Sequence, residues 1–598
     1  MTSSAMESAA QPAQVADLIV ACLEQLGIEY VFGVPGGAIE PLYNALARSQ
    51  RRGGPRPVVA RHETGAAFMA DGYARATGKI GVCCATSGPG STNLLTGVSC
   101  AYDNNVPLLV ITGQPALPSF GKKALQESAC TGVNIQGMFS HCTRYDTLVS
   151  HVDQIGSKLV NALMHASGVP CGPVHLSIPV DIQRAPLPGG LPAYNLASLL
   201  RDVVVFDETL MHLLLAEVKG ARRMVIVIGG GHACSESISA ILQLAEMTAS
   251  RFVSSPDGKG LVDPRHHLYR GVFGFAGHET AEAVLRDDPD LILAIGVSFN
   301  EWTSGAWSDA VLNPRLVHID VSEEHLARSP MARLHVRGRI RTVCERLVDM
   351  LRADGCPARA SERDKNPGFA LQEEAKFVSS AIPIKPQRLM RELSRRFPPG
   401  TLFLAEAGNS AAWAIHYLQP HERRVVRRHN HATRDWRGMD RRRGGDLGWL
   451  WVLMDFAPMG WAIGAAIGRA CSGAHGPVVC ITGDGSYLMS GQEISVAAAE
   501  GVAVIFVILN DAALGMVKHG QRLAGAERIA FDLPTVDFTL QAASMGIPAH
   551  VVRSPDDMER LDYAAMVARK GPTLIDVHID GEEVPPIGLR LKALGTRK

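Results

Sequence analysis

Asp484 stands in a Gly-Asp-Gly-Ser turn, and Asn510 and Asp511 follow it 26 and 27 residues later. Each polar group closes an apolar, β-branched run, VVCIT before the first and VAVIFVIL before the second, and such runs read as buried strands. Neighbouring parallel strands joined by one crossover helix would carry both groups to the same edge of a sheet. Two oxygen ligands there, with a backbone carbonyl and a helix N-terminus, suit Mg2+ holding a diphosphate. Gly483 and Gly485 let the main chain approach such an anion closely. The spacing leaves open whether Asn510 or Asp511 supplies the second ligand.

A site of this kind needs a particular scaffold, and the chain repeats its grammar three times: an apolar run, a Gly-rich turn, then a helix-period segment. Residues 13–190 offer strands at Tyr30–Val34, Ile80–Cys84 and Pro107–Thr112. Residues 205–355 offer Met224–Ile228, followed by Gly229–Gly231, then Leu291–Ile295 and Leu316–Asp320. Residues 385–580 offer Thr401–Leu404, Val478–Ile481, Val502–Leu509 and Thr573–Val577. Pro186–Pro192 and Ala353–Pro367 read as linkers between the three. The expected fold class is α/β, with three doubly wound parallel-sheet domains whose ligands bind at the carboxyl ends of strands.

Composition narrows the function classes. The 598 residues exceed what one core usually supports, and 59 basic against 59 acidic side chains argue against a nucleic-acid binder. The longest apolar run, Val502–Leu509, is far short of a membrane span, and the N-terminus has no basic region leading into an apolar core. Twelve cysteines without paired metal spacing read as reduced thiols, so the expected setting is cytoplasmic. One segment breaks the grammar: residues 421–446 hold nine Arg, three His and four acids. It reads either as a solvated insertion or as an electropositive lid over an anionic ligand.

The segments Val31–Ala38 (VFGVPGGA), His62–Gly65 (HETG), Ser87–Gly97 (SGPGSTNLLTG), Ala101–Gln114 and Leu514–Val517 (LGMV), together with the Asp484 and Asp511 pair, carry a family resemblance. The chain resembles the thiamine-diphosphate-dependent enzymes, in particular the acetolactate synthase large subunit, from about residue 13 to 590. The resemblance implies a pyrimidine-binding first domain, a central Rossmann-like domain and a diphosphate-binding third domain. It implies a decarboxylating carboligase of 2-oxo acids: the cofactor's C2 carbanion attacks the substrate, carbon dioxide leaves, and the enamine adds to a second carbonyl. Glu63 matches the glutamate that hydrogen-bonds the aminopyrimidine N1′. Pro35, Gly36, Asn93, Asn409, Ser410, Met459, Gly483, Gly485, Ser486 and Met516 match cofactor contacts, with Met459 as the apolar wedge under the bent cofactor. Asp484, Asp511 and the carbonyl of Ala513 match the metal ligands. Gln126 and Arg144 fall where the family contacts substrate; outside the family, Arg144 reads equally well as a surface charge, and Met459 as a core residue. Homodimers or homotetramers with shared active sites are implied, without nucleic acid or membrane, and a regulatory small subunit is not legible.

Several positions depart from that pattern. Asp511 stands where the family has Asn, adding negative charge beside a diphosphate. Gly520 stands where acetolactate synthases have a Trp, which points to a larger acceptor or to simple decarboxylation of a 2-oxo acid. Gly296–Trp302 (GVSFNEW) lacks both arginines of the pattern that binds FAD, so FAD in the central domain stays open. These losses also admit a cofactor-binding, non-catalytic subunit. A nucleotide-dependent dehydrogenase fits poorly, because Gly229–Gly231 does not continue into the dinucleotide spacing.

Overall fold

The computed structural model describes residues 12–129, 132–201, 207–355, 368–420, 448–473 and 476–588. The Arg-rich stretch 421–446 and most of the second linker lie outside the described residues.

Three six-stranded sheets organise the described chain, and every strand pair within them is parallel. The first contains β1 (Tyr30–Gly33), β2 (Arg56–Val59), β3 (Gly81–Ala85), β4 (Leu108–Gln114), β5 (Tyr145–Leu148) and β6 (Val174–Pro179), ordered β2-β1-β3-β4-β6-β5. The second contains β7 (Met224–Ile228), β8 (Arg251–Ser254), β9 (Tyr269–Val272), β10 (Leu291–Ile295), β11 (Leu316–Asp320) and β12 (Leu334–Arg337), ordered β12-β11-β10-β7-β8-β9. The third contains β13 (Leu402–Ala405), β14 (Leu450–Trp451), β15 (Val478–Gly483), β16 (Ile505–Asn510), β17 (Ala549–Val552) and β18 (Thr573–His578), ordered β14-β13-β15-β16-β18-β17.

The central strands are buried throughout, as Val/Ile/Leu runs covered by helices on both faces must be. The strand expected at Val502–Leu509 begins later, at Ile505, and ends at Asn510, because Gly501 in the left-handed region closes the preceding helix and 502–504 lead in. Edge strands β5 and β17 escaped the sequence reading. Their residues are mostly half-buried and mixed in polarity, so they carry no apolar run.

By contact density the chain forms two compact units, one carrying the first sheet, the other the second and third. Inside the second unit a buried polar layer joins its two sheets. Lys259, fully buried before β9, donates from Nζ to the carbonyls of Ala414 at 3.0 Å and Ile415 at 2.5 Å. His278 Nε2 contacts the His416 carbonyl at 3.1 Å, and its ring stacks on that of His416. Burial pushes the Lys259 ammonium and both imidazoles below their ordinary ranges. Among the described residues, no helix is long and apolar enough to cross a membrane.

Candidate active site

In the first unit the polar groups gather at the carboxyl ends of the strands. Glu63 opens the helix Glu63–Thr77 and is 8% exposed. Its Oε2 accepts from Asn93 Nδ2 at 2.9 Å, and Asn93 closes the short helix that follows β3. Thr64 Oγ1 donates to the Asn93 carbonyl at 2.5 Å, tying the two helices together. Gly90 lies beneath: a Cβ there would fall 3.2 Å from Glu63 Oε1 and 2.9 Å from Thr86 Cγ2. Pro35 is exposed in the loop after β1, and Gly36 is packed against the Thr86 side chain.

Gln126 crosses the same edge. A Cβ on Gly88 would meet Gln126 Cβ at 2.9 Å, and Gln126 itself is exposed with φ +60°. Ser128 holds this segment down, accepting from Gly88 N at 3.2 Å and exchanging hydrogen bonds with Gln114 at the end of β4. Glu63, Asn93 and Gln126 are therefore collected around one glycine turn.

Arg144 is not with them. It immediately precedes β5, at the amino end of the sheet, where Nη2 donates to Asn105 Oδ1 at 2.9 Å and the guanidinium covers the Tyr102 ring at 4.3 Å. The expected substrate clamp requires the carboxyl end. Its place at the other end of the strand corrects that expectation.

In the third sheet, β15 and β16 are neighbours, with Gly483 opposite Leu509. Asp484 is buried at the start of the helix Asp484–Ser490; Oδ1 accepts from Gly485 N at 2.7 Å and Oδ2 from Asp511 N at 3.2 Å. The Asn510 side chain turns away and donates to Asp576 Oδ1 on β18 at 2.9 Å. Of the two residues, Asp511 is thus the one beside Asp484. Burial pushes the Asp511 carboxyl up to about 7; the Asp484 charge adds to this and Lys518 opposes it. Burial also raises Asp484, against several backbone N–H donors. Ala513 is buried two residues on, and its carbonyl accepts from Gly515 N at 2.9 Å. Among the described residues no cluster of three or more His, Cys, Asp or Glu could hold a metal by itself, so a cation here needs oxygens from elsewhere, such as a phosphate.

Around this pair stand the remaining expected contacts. Asn409 and Ser410 open the helix Asn409–Tyr417, after Gly408 with φ +107°. A Cβ on Gly515 would meet Asn409 Nδ2 at 2.6 Å and Asp511 Oδ2 at 3.2 Å; one on Gly483 would lie 3.6 Å from Ser410 Oγ. Among the described residues, Asn409 Oδ1 is buried without a hydrogen-bond partner. Gly485 and Ser486 are buried, and a Cβ on Gly485 would meet Leu514 Cδ2 at 2.6 Å and Met459 Cε at 3.6 Å. Met516 is half-buried against the core below. The sequence reading passed over Glu406, a fully buried carboxyl just after β13 that accepts from Ala407 N and Ala462 N. A lone acid after an apolar strand was its only signal.

The central sheet also ends in a glycine turn, two of whose three glycines are closely packed. Gly229 packs on the Gly296 carbonyl, and Gly230 packs on the Asp257 carboxylate, which Ser255 Oγ reaches at 2.5 Å. Asp257 was likewise absent from the sequence reading.

Three family models match the chain in order: the N-terminal TPP binding domain of thiamine pyrophosphate enzymes at residues 13–135, their central domain at 212–347, and their C-terminal TPP binding domain at 445–577. The acetolactate synthase of Arthrospira platensis is 30% identical over 582 residues, covering 94% of each chain. The acetolactate synthase isozyme 2 large subunit of Escherichia coli (strain K12) is 29% identical, covering 96% of this chain and 97% of its own. In fold, the chain is similar to a crystal structure from Mycobacterium smegmatis assigned to the thiamin diphosphate-dependent enzymes, with a TM-score of 0.76 and 21% identity over 95% of this chain and 99% of that one.

Proposed function

The chain belongs to the thiamine pyrophosphate enzymes, in their acetolactate synthase group, and from that premise we propose that it is a thiamine-diphosphate- and Mg2+-dependent 2-oxo-acid carboligase. The observation that carries this reading is the Asp484–Asp511 pair at adjacent strand ends, beside an Asn409 oxygen that lacks a partner. Two buried carboxyls so placed ionise together only at a cost, which a cation between them would remove. The residues present fit the group: Asp484, Asp511 and the Ala513 carbonyl would hold Mg2+, and Asn409, Ser410 and the Gly483–Ser486 turn would take the diphosphate. Met459, against Gly485, would support the cofactor from below. When bound, thiamine diphosphate supplies a nucleophilic carbon and an electron sink for the carbon dioxide that departs.

The protein's own part is positioning and proton transfer. Glu63 would hold the proton shared with the aminopyrimidine N1′, and Asn93 fixes its carboxyl by donating to Oε2. Gln126 would face substrate from the exposed segment that crosses Gly88. Arg144 is left out of the reading. So is FAD, because the Asp257 carboxylate already lies against Gly230, where a second anion would be repelled. The active assembly in this reading is a homodimer or homotetramer. Leu488 and Met489, 40% and 55% exposed on the helix that begins at Asp484, give it an apolar face to cover.

Incubation with pyruvate, thiamine diphosphate and Mg2+ should release carbon dioxide and form acetolactate. Neither product, with pyruvate or any other 2-oxo acid, would end the reading. A simple decarboxylase is the second reading, favoured by Gly520, whose Cβ position meets nothing within 4 Å among the described residues. Aldehyde as the sole carbon product would select it.

A further inference from the structure

Glu406 is a fully buried carboxyl at the end of β13 that takes no part in the proposed chemistry. It follows β13, its main-chain N–H donates to the Ile481 carbonyl at 2.9 Å as a last rung of the sheet, and its side chain is 0% exposed. The two oxygens accept from Ala407 N and Ala462 N, each at 3.1 Å, and the N–H groups of Gly460 and Trp461 point at the same carboxyl. Three of these four donors are the first N–H groups of the helix Trp461–Cys471 and its cap. An α-helix leaves such groups without partners of its own, and the cap residue, Gly460, has no side chain to offer them.

Gly460 cannot be exchanged for a residue that could cap. It has φ +93°, and a Cβ there would run into Ser490 Oγ. A carboxyl more than fifty residues away therefore does the work of a cap. What it fixes is the turn carrying Met459, which stands directly before Gly460 and reaches Gly485 at the Asp484 turn. On the other side, Glu406 is two residues from Gly408 and three from Asn409, so the same carboxyl anchors the loop that presents Asn409 and Ser410. Its geometry is that of a clamp on two loops that approach the cofactor position from different parts of the chain.

Resting on the functional reading above, we propose that Glu406 is a positioning residue: by binding the N–H groups of 460–462 it sets the Met459 wedge and so governs thiamine diphosphate binding, without touching the cofactor. A general packing role would make a different demand, since it would lower the stability of the empty protein and leave Met459 irrelevant.

The test is a double-mutant cycle read by calorimetric titration of thiamine diphosphate with Mg2+, using the full chain. Glu406→Ala should weaken binding by about tenfold or more, the scale set by losing hydrogen bonds to a buried carboxyl. Glu406→Gln, which keeps one acceptor oxygen, should fall between the two, and it carries the cycle if the Ala variant does not fold. In a Met459→Ala background the Glu406 substitution should cost clearly less than in wild type, because the wedge it positions is gone and only the anchoring of the Asn409 loop remains to be lost. Equal affinity for wild type and Glu406→Ala overturns the proposal. So does full additivity of the two losses, or a loss that only tracks the melting temperature of the empty protein. Wild-type protein that shows no saturable binding rejects the functional reading itself, and the two failures are thereby told apart.

Discussion

Glu63 owes its orientation to Asn93, a residue thirty positions away, rather than to its own helix. Glu63→Gln keeps the shape and the Asn93 contact while removing the exchangeable carboxyl proton. It should lower kcat by about 10²–10⁴-fold, the usual weight of a positioned acid or base, with thiamine diphosphate affinity nearly unchanged; carbon dioxide release and calorimetry check the two halves. Glu406 makes a prediction about pH. Burial pushes its carboxyl up to about 8, the N–H donors opposing. Below the ordinary glutamate range, both folded and unfolded chains hold the proton and nothing is lost. Between there and about 8 the folded chain keeps a proton that the unfolded chain releases, so stability falls as pH rises across that window. Melting curves of the metal-free protein from pH 5 to 9 should show this decline, to which the raised Asp511 carboxyl contributes in the same direction, and Glu406→Gln should make it shallower, most clearly between about pH 7 and 8. The meeting of Asp484 and Asp511 was legible because motif and spacing mark it. Glu406 and Asp257 were not, since a single acid after an apolar run has no spacing to read. Arg144 was misplaced for another reason: sequence order does not say which end of a strand a flanking residue occupies relative to the site.

Among the elements, β16 carries the sharpest division of labour. Its last residue, Asn510, donates sideways to Asp576 on β18, and the next, Asp511, turns to Asp484 on the β15 side. Asn510→Ala leaves a buried Asp576 oxygen without that donor, which should cost about 1–3 kcal/mol. Urea unfolding measures it, and a change below a few tenths of a kcal/mol would contradict the assignment. Most of the inner strands were readable from their apolar runs to within a few residues, although the interior strands β6 and β8 were passed over. The edge strands were not, because a strand covered on one side keeps a mixed composition. The two-residue β14 has too little sequence to leave any pattern.

At the scale of the whole molecule, the three parallel sheets were visible as three repeats of one grammar, whereas the joining of the second and third into one unit was not. That union rests on buried side chains such as Lys259 and His278, which composition and periodicity do not reveal. The apolar Leu488 and Met489 make the assembly testable. Met489→Asp should shift sedimentation from a dimer or tetramer toward monomer, with catalytic activity lost in step and the secondary structure retained. A wild-type chain that sediments as a fully active monomer would contradict the shared-site reading. The Asp257 carboxyl against Gly230 adds a spectroscopic expectation: the purified protein should carry no flavin absorbance, and added FAD should not alter turnover.

The buried Lys259 has a bearing on how this chain can be recombined with its relatives. It donates to the carbonyls of Ala414 and Ile415 in the nine-residue helix whose first residues are Asn409 and Ser410, about 6–9 Å away along the axis. A chimera cut at the linker between the second and third sheets would separate the cation from the helix it secures. If the incoming partner lacked a lysine there, the Ile415 carbonyl would lose this donor at a cost of about 1–3 kcal/mol, while the Ala414 carbonyl would keep the Leu418 N–H. The unit of inheritance is therefore the pair of sheets together, and a seam between them would be felt at the phosphate end of that helix.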